Sequence, residues 1–300
     1  MISGASGMLG TALRAALARR RDEVTQLVRR EPAAADQVVW NPAGTQLVQD
    51  PGALEGCSAA IHLSGASVAE RRWSPAYRQE LMASRVNSTR GLAALLASLR
   101  QPPRTLMVAS AIGFYGNRGD ELLDESSVAG TGFLPDLCQQ WEAAAQPASE
   151  AGIRVVHLRF GVVLGPGEGA LAQMLPIFRL GLGGKLGNGR QWISWIGIGD
   201  AIAGLLFVLD TPALTGPVNL TAPNPVTNAG FTIALAKQLG RPAFLPVPAF
   251  AARLAFGQMA EEALLASARV FPRKLQDAGF GFTRPVIEDA LAEALGPVSS

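Results

Sequence analysis

The stretch Ile2-Ser3-Gly4-Ala5-Ser6-Gly7-Met8-Leu9-Gly10 places three glycines at the spacing GxxGxxG, directly after a short apolar start. Apolar residues from Leu9 to Leu17 follow at the spacing of one helix face. A strand, a glycine turn and a helix in this order are typical of a dinucleotide-binding unit, in which the turn admits backbone close to a pyrophosphate. We predict that the cofactor-binding residues of this turn are Gly4, Ser6, Gly7, Met8, Leu9 and Gly10. The alternative is a glycine turn that serves tight packing alone.

The end of the second predicted strand, Glu23–Val28, bears on the choice between NAD and NADP. Arg29 and Arg30 follow this strand, and the nearest acid, Glu31, lies beyond both. An acid at this place binds the ribose 2′-hydroxyl of NAD, whereas arginine accommodates the 2′-phosphate of NADP. We therefore predict NADP(H) as the cofactor, with contacts from Val28, Arg29 and Arg30. An exposed basic pair without a ligand is the alternative.

Short apolar strands alternate with amphipathic helices through the first half of the chain. The further predicted strands are Gln37–Trp40, Ala59–Ser64, Thr105–Ser110 and Arg154–Phe160, and the predicted long helices are Pro75–Leu99 and Pro135–Ala151. This alternation indicates an α/β fold with a doubly wound parallel sheet of the Rossmann type. Only three residues precede the glycine turn, so the first strand is either clipped in this numbering or begins upstream.

Glycine and tryptophan become dense after residue 165, which indicates a change of role along the chain. We predict an NADP-binding Rossmann domain over residues 1–165. Residues 166–300 would form a smaller substrate lobe and C-terminal module, with part of 195–220 packing back on the Rossmann sheet.

Composition limits the classes of partner. The formal charge is only +2, and no apolar stretch approaches the 18 residues of a membrane span. We therefore expect a small-molecule substrate, no nucleic acid and no membrane, with the oligomeric state left open. Two cysteines far apart in sequence, Cys57 and Cys138, indicate neither a disulfide framework nor a metal site. The start lacks the pattern of a signal peptide, so we expect a cytoplasmic protein.

Several further motifs appear in a fixed order along nearly the whole chain. They include His62-Leu63-Ser64-Gly65, Ser110–Gly116, Arg159–Gly165 and a C-terminal run from Arg241 to Phe280. With Gly4–Gly10, they resemble those of the extended short-chain dehydrogenase/reductases. More narrowly, the chain is similar to atypical members of the NAD-dependent epimerase/dehydratase family that carry a small C-terminal module.

The resemblance implies further cofactor contacts. These are Leu63 and Ser64 after the fourth strand, Glu80 and Arg85 on the long helix, and Gly161 and Val162 beside the nicotinamide. For Glu80 and Arg85 the alternative is a surface pair on a solvated helix face.

The Tyr-x-x-x-Lys pair that ordinary members of the superfamily use is missing. Cys138 stands in place of the tyrosine and Glu142 in place of the lysine. A carboxylate one helical turn from a thiol opposes thiolate formation. We therefore interpret Cys138 as a small packed residue, and the usual dehydrogenase chemistry is not supported.

Two other residues are candidates for catalysis. Ser110 ends the fifth predicted strand, and Tyr115 follows it, near the edge at which substrates meet a cofactor. Both could hydrogen-bond a substrate carbonyl, although Tyr115 could instead be a core or rim aromatic residue.

The segment Gly181–Trp195 combines glycines with Lys185, Arg190 and Trp192. This composition suits a loop that closes on an anionic, partly apolar substrate, and it equally suits a tight connection packed by its tryptophans. We interpret Asp200 as a helix N-cap, with a catalytic acid as the alternative, and His62 and His157 as buried structural residues.

Two functions remain open from the sequence. The first is an NADP(H)-binding oxidoreductase or epimerase-like enzyme acting on an unidentified small metabolite. The second is a non-catalytic NADP(H)-binding regulator or scaffold.

Overall fold

The computed structural model describes residues 1–44 and 47–296, and a single parallel sheet forms its centre. In chain order the strands are β1 (Ile2–Ser3), β2 (Gln26–Val28), β3 (Gln37–Val39), β4 (Ala59–His62), β5 (Thr105–Ala111), β6 (Leu122–Leu123), β7 (Arg154–Phe160), β8 (Val162–Leu164), β9 (Trp192–Ile193), β10 (Trp195–Gly197), β11 (Gly216–Leu220), β12 (Val226–Thr227) and β13 (Arg269–Val270). Seven of these pair in the order β3-β2-β1-β4-β5-β7-β11, all parallel. The predicted doubly wound Rossmann sheet is confirmed.

The helices are α1 (Met8–Arg20), α2 (Pro75–Met82), α3 (Ser88–Ser98), α4 (Phe133–Ala143), α5 (Gln146–Glu150), α6 (Gly169–Arg179), α7 (Ile198–Asp210), α8 (Asn228–Leu239), α9 (Ala249–Phe256), α10 (Arg273–Asp277) and α11 (Ile287–Leu295). α1 contacts α7, and α3 contacts α5. The chain winds outward from β1 in one direction and from β4 in the other, so right-handed crossovers put α1 and the pair α3 and α5 on opposite faces of the sheet. α7 lies on the face of α1, since the two helices are in contact. The order of the strands reverses between β1 and β4, which is where ligands bind in such sheets.

Each of the two long predicted helices is divided into two helices in the structure. The Ser74 hydroxyl caps α2 by accepting a hydrogen bond from the Tyr77 amide, and a π-helical turn over Ala83–Asn87 joins α2 to α3. The helix predicted over Pro135–Ala151 is divided into α4 and α5. Pro147 lies in the first turn of α5 and has no N–H to continue the hydrogen bonding of α4, which explains the division.

A second core lies beyond the sheet. β8 pairs with β10, and Trp195, Phe231 and Leu291 from β10, α8 and α11 are buried together. β11, although it lies beyond residue 165, is the edge strand of the Rossmann sheet. The domain boundary at residue 165 stays a prediction.

Asp200 has a different role from the predicted one. α7 begins at Ile198 with Gly197 as its N-cap, so the N-cap interpretation of Asp200 is wrong. The buried carboxylate instead accepts hydrogen bonds from the Thr283 amide (2.9 Å), the Thr283 hydroxyl (2.6 Å) and the Arg284 amide (2.8 Å). These bonds attach the C-terminal segment to the Rossmann half. Across the described residues, no helix combines the length and apolar character needed to cross a bilayer.

Candidate active site

The three glycines of the turn between β1 and α1 differ in their surroundings. Gly4 has a φ of +72°, and a Cβ on it would lie 2.8 Å from the Leu63 carbonyl carbon. A Cβ on Gly10 would lie 2.1 Å from the Gly4 carbonyl oxygen. A Cβ on Gly7 would meet only that same oxygen, at 3.7 Å. Gly4 and Gly10 are therefore required by packing, whereas Gly7 borders open space at the helix N-terminus, where a pyrophosphate would fit.

The N-terminus of α1 is suited to an anion. Gly7 is the N-cap and has no side chain to cap the first turn. The positive end of the helix dipole therefore faces the open space beside Gly7. A Cβ on Gly165 would lie 2.8 Å from the Met8 sulfur, so the turn after β8 lies against the start of α1. Ser6 is exposed in the same turn.

Arg29 and Arg30 follow β2 and are both exposed. In the part of the chain that the structure describes, neither guanidinium has an ion-pair or hydrogen-bond partner. Val28 precedes them, and its carbonyl oxygen accepts a hydrogen bond from the Trp40 amide at 2.8 Å. Two unpaired guanidinium groups at the end of β2 provide bidentate donors for a 2′-phosphate.

Leu63 and Ser64 lie beyond the end of β4, against Gly4. Gly161 and Val162 connect β7 to β8, and a Cβ on Gly161 would lie 2.6 Å from the Ser194 carbonyl oxygen. The close approach of the segment before β10 therefore explains this glycine. Both segments lie at the carboxyl edge of the sheet, on the two sides of β5.

Glu80 and Arg85 do not form a pair. Glu80 is exposed and lies 3.8 Å from Arg71. Arg85 is 9% exposed, donates to the Ala66 carbonyl oxygen at 2.8 Å, and lies 5.0 Å from the centroid of the Trp141 ring. Burial lowers the pKa of this guanidinium. Glu80 and Arg85 therefore do not form a solvated surface pair, and Arg85 lies in the π-helical turn that joins α2 to α3.

Glu142 takes part in a buried ion pair. Its two carboxylate oxygens each accept from Arg159, both at 2.8 Å, and the Ser110 hydroxyl donates to Oε1 at 2.7 Å. Desolvation lowers the pKa of Arg159, but the hydrogen bonds and charge of Glu142 outweigh it and raise the pKa overall. The negative charge that replaces the usual lysine is thus neutralised by a cation from β7.

Tyr115 lies in the same network and away from the surface. It is 0% exposed, its hydroxyl donates to Asn219 Oδ1 at 2.7 Å, and it accepts from Arg159 at 3.0 Å. Burial raises the pKa of the phenol to about 12. The structure therefore places Tyr115 in the core, and Ser110, which is 3% exposed, lies in the last residues of β5.

Arg159, Asn219 and Glu125 complete the network, and none of the three was predicted from the sequence as a site residue. The Glu125 carboxylate accepts from the Asn219 amide at 3.0 Å. A charged residue within an apolar strand, as in Leu158-Arg159-Phe160, is a signal that could have found Arg159, because buried charges need partners. Asn219 carried no comparable signal.

The Cys138 thiol is buried, and its sulfur lies 3.7 Å from the Ala111 carbonyl oxygen. Burial, followed by the charge of Glu142, raises its pKa to about 12. A thiol with such a pKa is a poor nucleophile, in agreement with its interpretation as a packed residue.

The segment Gly181–Trp195 does not gather its candidate residues at one point. Lys185 and Arg190 are exposed, and only Arg190 lines a neighbouring cavity of about 330 Å³ beside Gly119 and Ser267. The Trp192 indole donates to Asp120 at 2.7 Å, and the Arg269 guanidinium lies 4.4 Å from its ring. Trp192 is thus fixed by packing, as in the alternative of a tight connection.

His62 is buried, and His157 is half-buried. The His62 ring lies 2.5 Å from the Ser3 hydroxyl and 3.2 Å from the Ser88 hydroxyl, and burial lowers its pKa to about 4. Burial also lowers the pKa of His157. Their structural interpretation agrees with this geometry. Among the described residues, no three His, Cys, Asp or Glu side chains cluster as metal ligands do.

Comparison with known proteins gives two family matches. Residues 1–220 match the NAD dependent epimerase/dehydratase family. The chain belongs to this family. Residues 247–294 match a separate domain of unknown function, which corresponds to the C-terminal module expected from the sequence.

Relatives extend over almost the full chain. An epimerase family protein of Mycobacterium bovis is 46% identical over 98% of this chain and 96% of its own length. The crystal structure of the human epimerase family protein SDR39U1 with NADPH is similar to this structure, with a TM-score of 0.87 and 33% sequence identity. The match covers 98% of this chain and 97% of the human chain. A nucleoside-diphosphate sugar epimerase from Corynebacterium glutamicum is 35% identical with a TM-score of 0.80; 98% of this chain covers 57% of that one.

Proposed function

We propose that this protein is an NADP(H)-dependent enzyme, an oxidoreductase or an epimerase-like one, that oxidises a hydroxyl group of a small metabolite. The observation that carries the proposal is the hydrogen bond from Ser110 to Glu142 at the end of β5. The open space beside Gly7, the unpaired Arg29 and Arg30, and the NADPH bound to the human relative support the choice of cofactor.

The direction of the Ser110 hydrogen bond limits the substrate. An ionised carboxylate only accepts hydrogen bonds, so the Ser110 hydroxyl is the donor to Glu142. Its proton is then not available for a substrate carbonyl. The remaining lone pairs of Ser110 can accept a proton from a substrate hydroxyl, which favours an alcohol as the group that is bound first.

The proton of that hydroxyl has a path through two side chains. It passes to Ser110 Oγ as the serine proton passes to Glu142 Oε1, which leaves a neutral carboxyl on Glu142. The substrate becomes a carbonyl only when its carbon also loses a hydride. NADP⁺ supplies the chemistry of a hydride acceptor when it is bound, and the hydride comes from the carbon that bore the hydroxyl. Arg159 keeps Glu142 oriented, because its Nε donates to Oε1 and its Nη2 donates to Oε2.

A second function is favoured by a different observation. Arg159 neutralises Glu142, and Ser110 and Tyr115 are almost completely buried. This arrangement also suits a protein that binds NADP(H) without turnover and acts as a regulator or scaffold.

Cofactor preference is tested by titrating NADPH and NADH against the wild-type protein and the Arg29→Ala variant. We expect NADPH to bind more tightly, and Arg29→Ala to cost about 1.5–3 kcal/mol for NADPH and little for NADH, because a charged hydrogen bond to the 2′-phosphate is lost. Arg14→Ala, at an exposed arginine on α1, is the matched control. Equal affinities of the wild type for the two cofactors contradict the assignment.

Turnover is tested by a screen of metabolite alcohols, including anionic ones, with NADP⁺ reduction as the signal. Ser110→Ala should lower kcat by about 10²–10⁴-fold, as expected for a positioned proton-transfer group, while NADPH affinity stays unchanged. Ser110→Thr retains a hydroxyl and should recover part of the rate. Full activity of Ser110→Ala would exclude this path, and tight NADPH binding without turnover of any alcohol would favour the regulator.

A further inference from the structure

Charge is distributed unevenly along the chain. The protein has 26 basic and 24 acidic side chains, but residues 169–199 and 211–260 hold six basic residues and no acidic one. The rest of the chain therefore has 20 basic and 24 acidic side chains, a net charge of −4. All six basic residues are exposed: Arg179, Lys185, Arg190, Lys237, Arg241 and Arg253. The small overall charge of +2 thus conceals two segments in the second half of the chain whose charged side chains are all basic and exposed.

Exposed apolar side chains concentrate on the same lobe. Of twelve exposed large hydrophobic residues in the described chain, nine lie in these two segments. They include Leu180 after α6, Phe244 before α9, and Phe250 and Leu254 on one face of α9. Phe250 is 70% exposed and Leu254 is 76% exposed. Contiguous exposed apolar surface on a folded protein marks an interaction site.

The two segments lie side by side, so the surface is continuous. A Cβ on Gly181 would lie 3.4 Å from the Pro242 ring, and the Gly187 amide donates to the Val247 carbonyl oxygen at 2.9 Å. The Val247 amide in turn donates to the Lys185 carbonyl oxygen at 2.9 Å. These contacts hold the end of α6 beside the segment that leads into α9.

We propose that this surface, formed by the end of α6, the segment 240–248 and α9, docks the protein onto an anionic phospholipid bilayer. The apolar side chains would enter the boundary between headgroups and acyl chains, and the basic side chains would bind the lipid phosphates. The protein would lie on the bilayer and would not span it. The proposal is independent of the reaction that the cofactor site performs, and it revises the expectation of no membrane that followed from net charge.

Charge favours a bilayer over a second copy of the chain. Two symmetry-related copies of this surface would bring like charges together, because Arg179, Arg241 and Arg253 lie within it and neither segment offers an acidic side chain to pair with them. Arg253 alone is paired, with Glu261 at the margin of the surface. The other five basic residues have no ion-pair partner among the described residues.

Vesicle sedimentation of the full chain tests the proposal, with phosphatidylcholine vesicles that contain or lack phosphatidylserine. We expect binding to the anionic vesicles that weakens as salt is raised, because the phosphate contacts are screened. Free inorganic phosphate should compete no better than chloride at equal ionic strength. Competition by phosphate alone would assign the cations to a soluble anion and overturn the proposal.

Two double variants separate the apolar and the charged contributions. Phe250→Ser with Leu254→Ser should lower vesicle binding by about tenfold or more, since each removes apolar surface from the lipid boundary. Arg179→Glu with Arg241→Glu should lower binding to the vesicles that contain phosphatidylserine and leave binding to pure phosphatidylcholine unchanged. Leu122→Ser with Val128→Ser, and Arg14→Glu with Arg104→Glu, are matched controls at exposed positions outside the surface. All four should retain the wild-type affinity for NADPH, which shows that they fold.

Absence of binding to either vesicle overturns the proposal, as does binding that the surface variants leave unchanged. If the protein forms dimers that Phe250→Ser with Leu254→Ser abolishes, and binds no vesicles, the surface is an interface between copies. That result would also overturn it.

Discussion

The hydrogen-bond partners of Glu142 and Tyr115 could not be predicted from the sequence. The sequence shows that Glu142 replaces the usual lysine, but Arg159, its partner, lies 17 residues away on β7. Tyr115 lies 104 residues from Asn219, its hydrogen-bond acceptor. Spacing along a chain does not reveal such partners, because they depend on which strands are neighbours.

Replacement of Tyr115 by Phe should lower stability rather than cofactor binding. The change removes the donor to Asn219 Oδ1 and the acceptor for Arg159, and it leaves both groups buried. We expect a loss of about 1–3 kcal/mol in the free energy of unfolding, measured by denaturant titration. Tyr77→Phe is the control, because its hydroxyl serves one backbone acceptor, the Ser67 carbonyl oxygen. Unchanged stability together with lost turnover would instead restore the direct catalytic role predicted from the sequence.

At the scale of elements, the junction between β1 and α1 follows closely from the sequence. The glycine spacing predicts the turn, and the structure distinguishes the three positions by what surrounds each one. By contrast, the role of Asp200 depends on contact with residues 283–284. Thr283 lies 83 residues beyond Asp200 in the chain and packs against α7 only in the folded protein.

Gly7 and Gly10 should respond differently to substitution. A side chain on Gly7 enters open space, so Gly7→Val should abolish NADPH binding with little change in thermal stability. A Cβ on Gly10 collides with the Gly4 backbone, so Gly10→Ala should lower both binding and the melting temperature. Thermal unfolding and NADPH fluorescence measure both effects. Strong NADPH binding by Gly7→Val would show that this turn does not hold the pyrophosphate.

Loss of the Asp200 carboxylate should loosen the C-terminal module. Asp200→Ala leaves two backbone donors and one hydroxyl without their charged acceptor, and we expect a cost of about 1.5–3 kcal/mol. Limited proteolysis should then cleave near residues 283–284 faster than in the wild type. Asp210→Ala, at an exposed acid on the same helix, is the control. Equal cleavage of both variants would show that the module is held elsewhere.

At the scale of the whole molecule, the two histidines link the stability of the Rossmann core to pH. Both histidines lie on strands of the Rossmann sheet, His62 on β4 and His157 on β7, and burial lowers the pKa of each. Global stability should therefore depend on pH through these two residues.

Stability should fall as pH falls from about 6.5 to about 4, which are the ordinary pKa and the lowered pKa of His62. Between these values the unfolded chain binds a proton that the folded protein excludes, so acid favours unfolding by up to about 3 kcal/mol from this ring. Denaturant titrations near pH 7 and near pH 5 measure the effect. His62→Asn should reduce the pH dependence, and His62→Asn with His157→Asn should reduce it further. An unchanged pH dependence in the double variant would assign it to the carboxylates.

The sequence by itself determined the fold class, the family and the position of the glycine turn. These features depend on local spacing: glycines that admit close backbone approach, apolar residues at strand and helix periods, and motifs in a fixed order. Strand ends were less accurate, as for the second strand, predicted from Glu23 and observed from Gln26.

Only the tertiary structure decided which polar groups meet. Ser110, Glu142 and Arg159 come together because β5 and β7 are neighbours and α4 packs on β5, so that three separate segments converge. The cationic apolar face likewise exists only because residues 181–187 lie beside residues 242–249. The physical reason is the same in both cases. A buried charge or an exposed apolar patch is defined by neighbours in space, and the order of strands and the packing of lobes choose those neighbours.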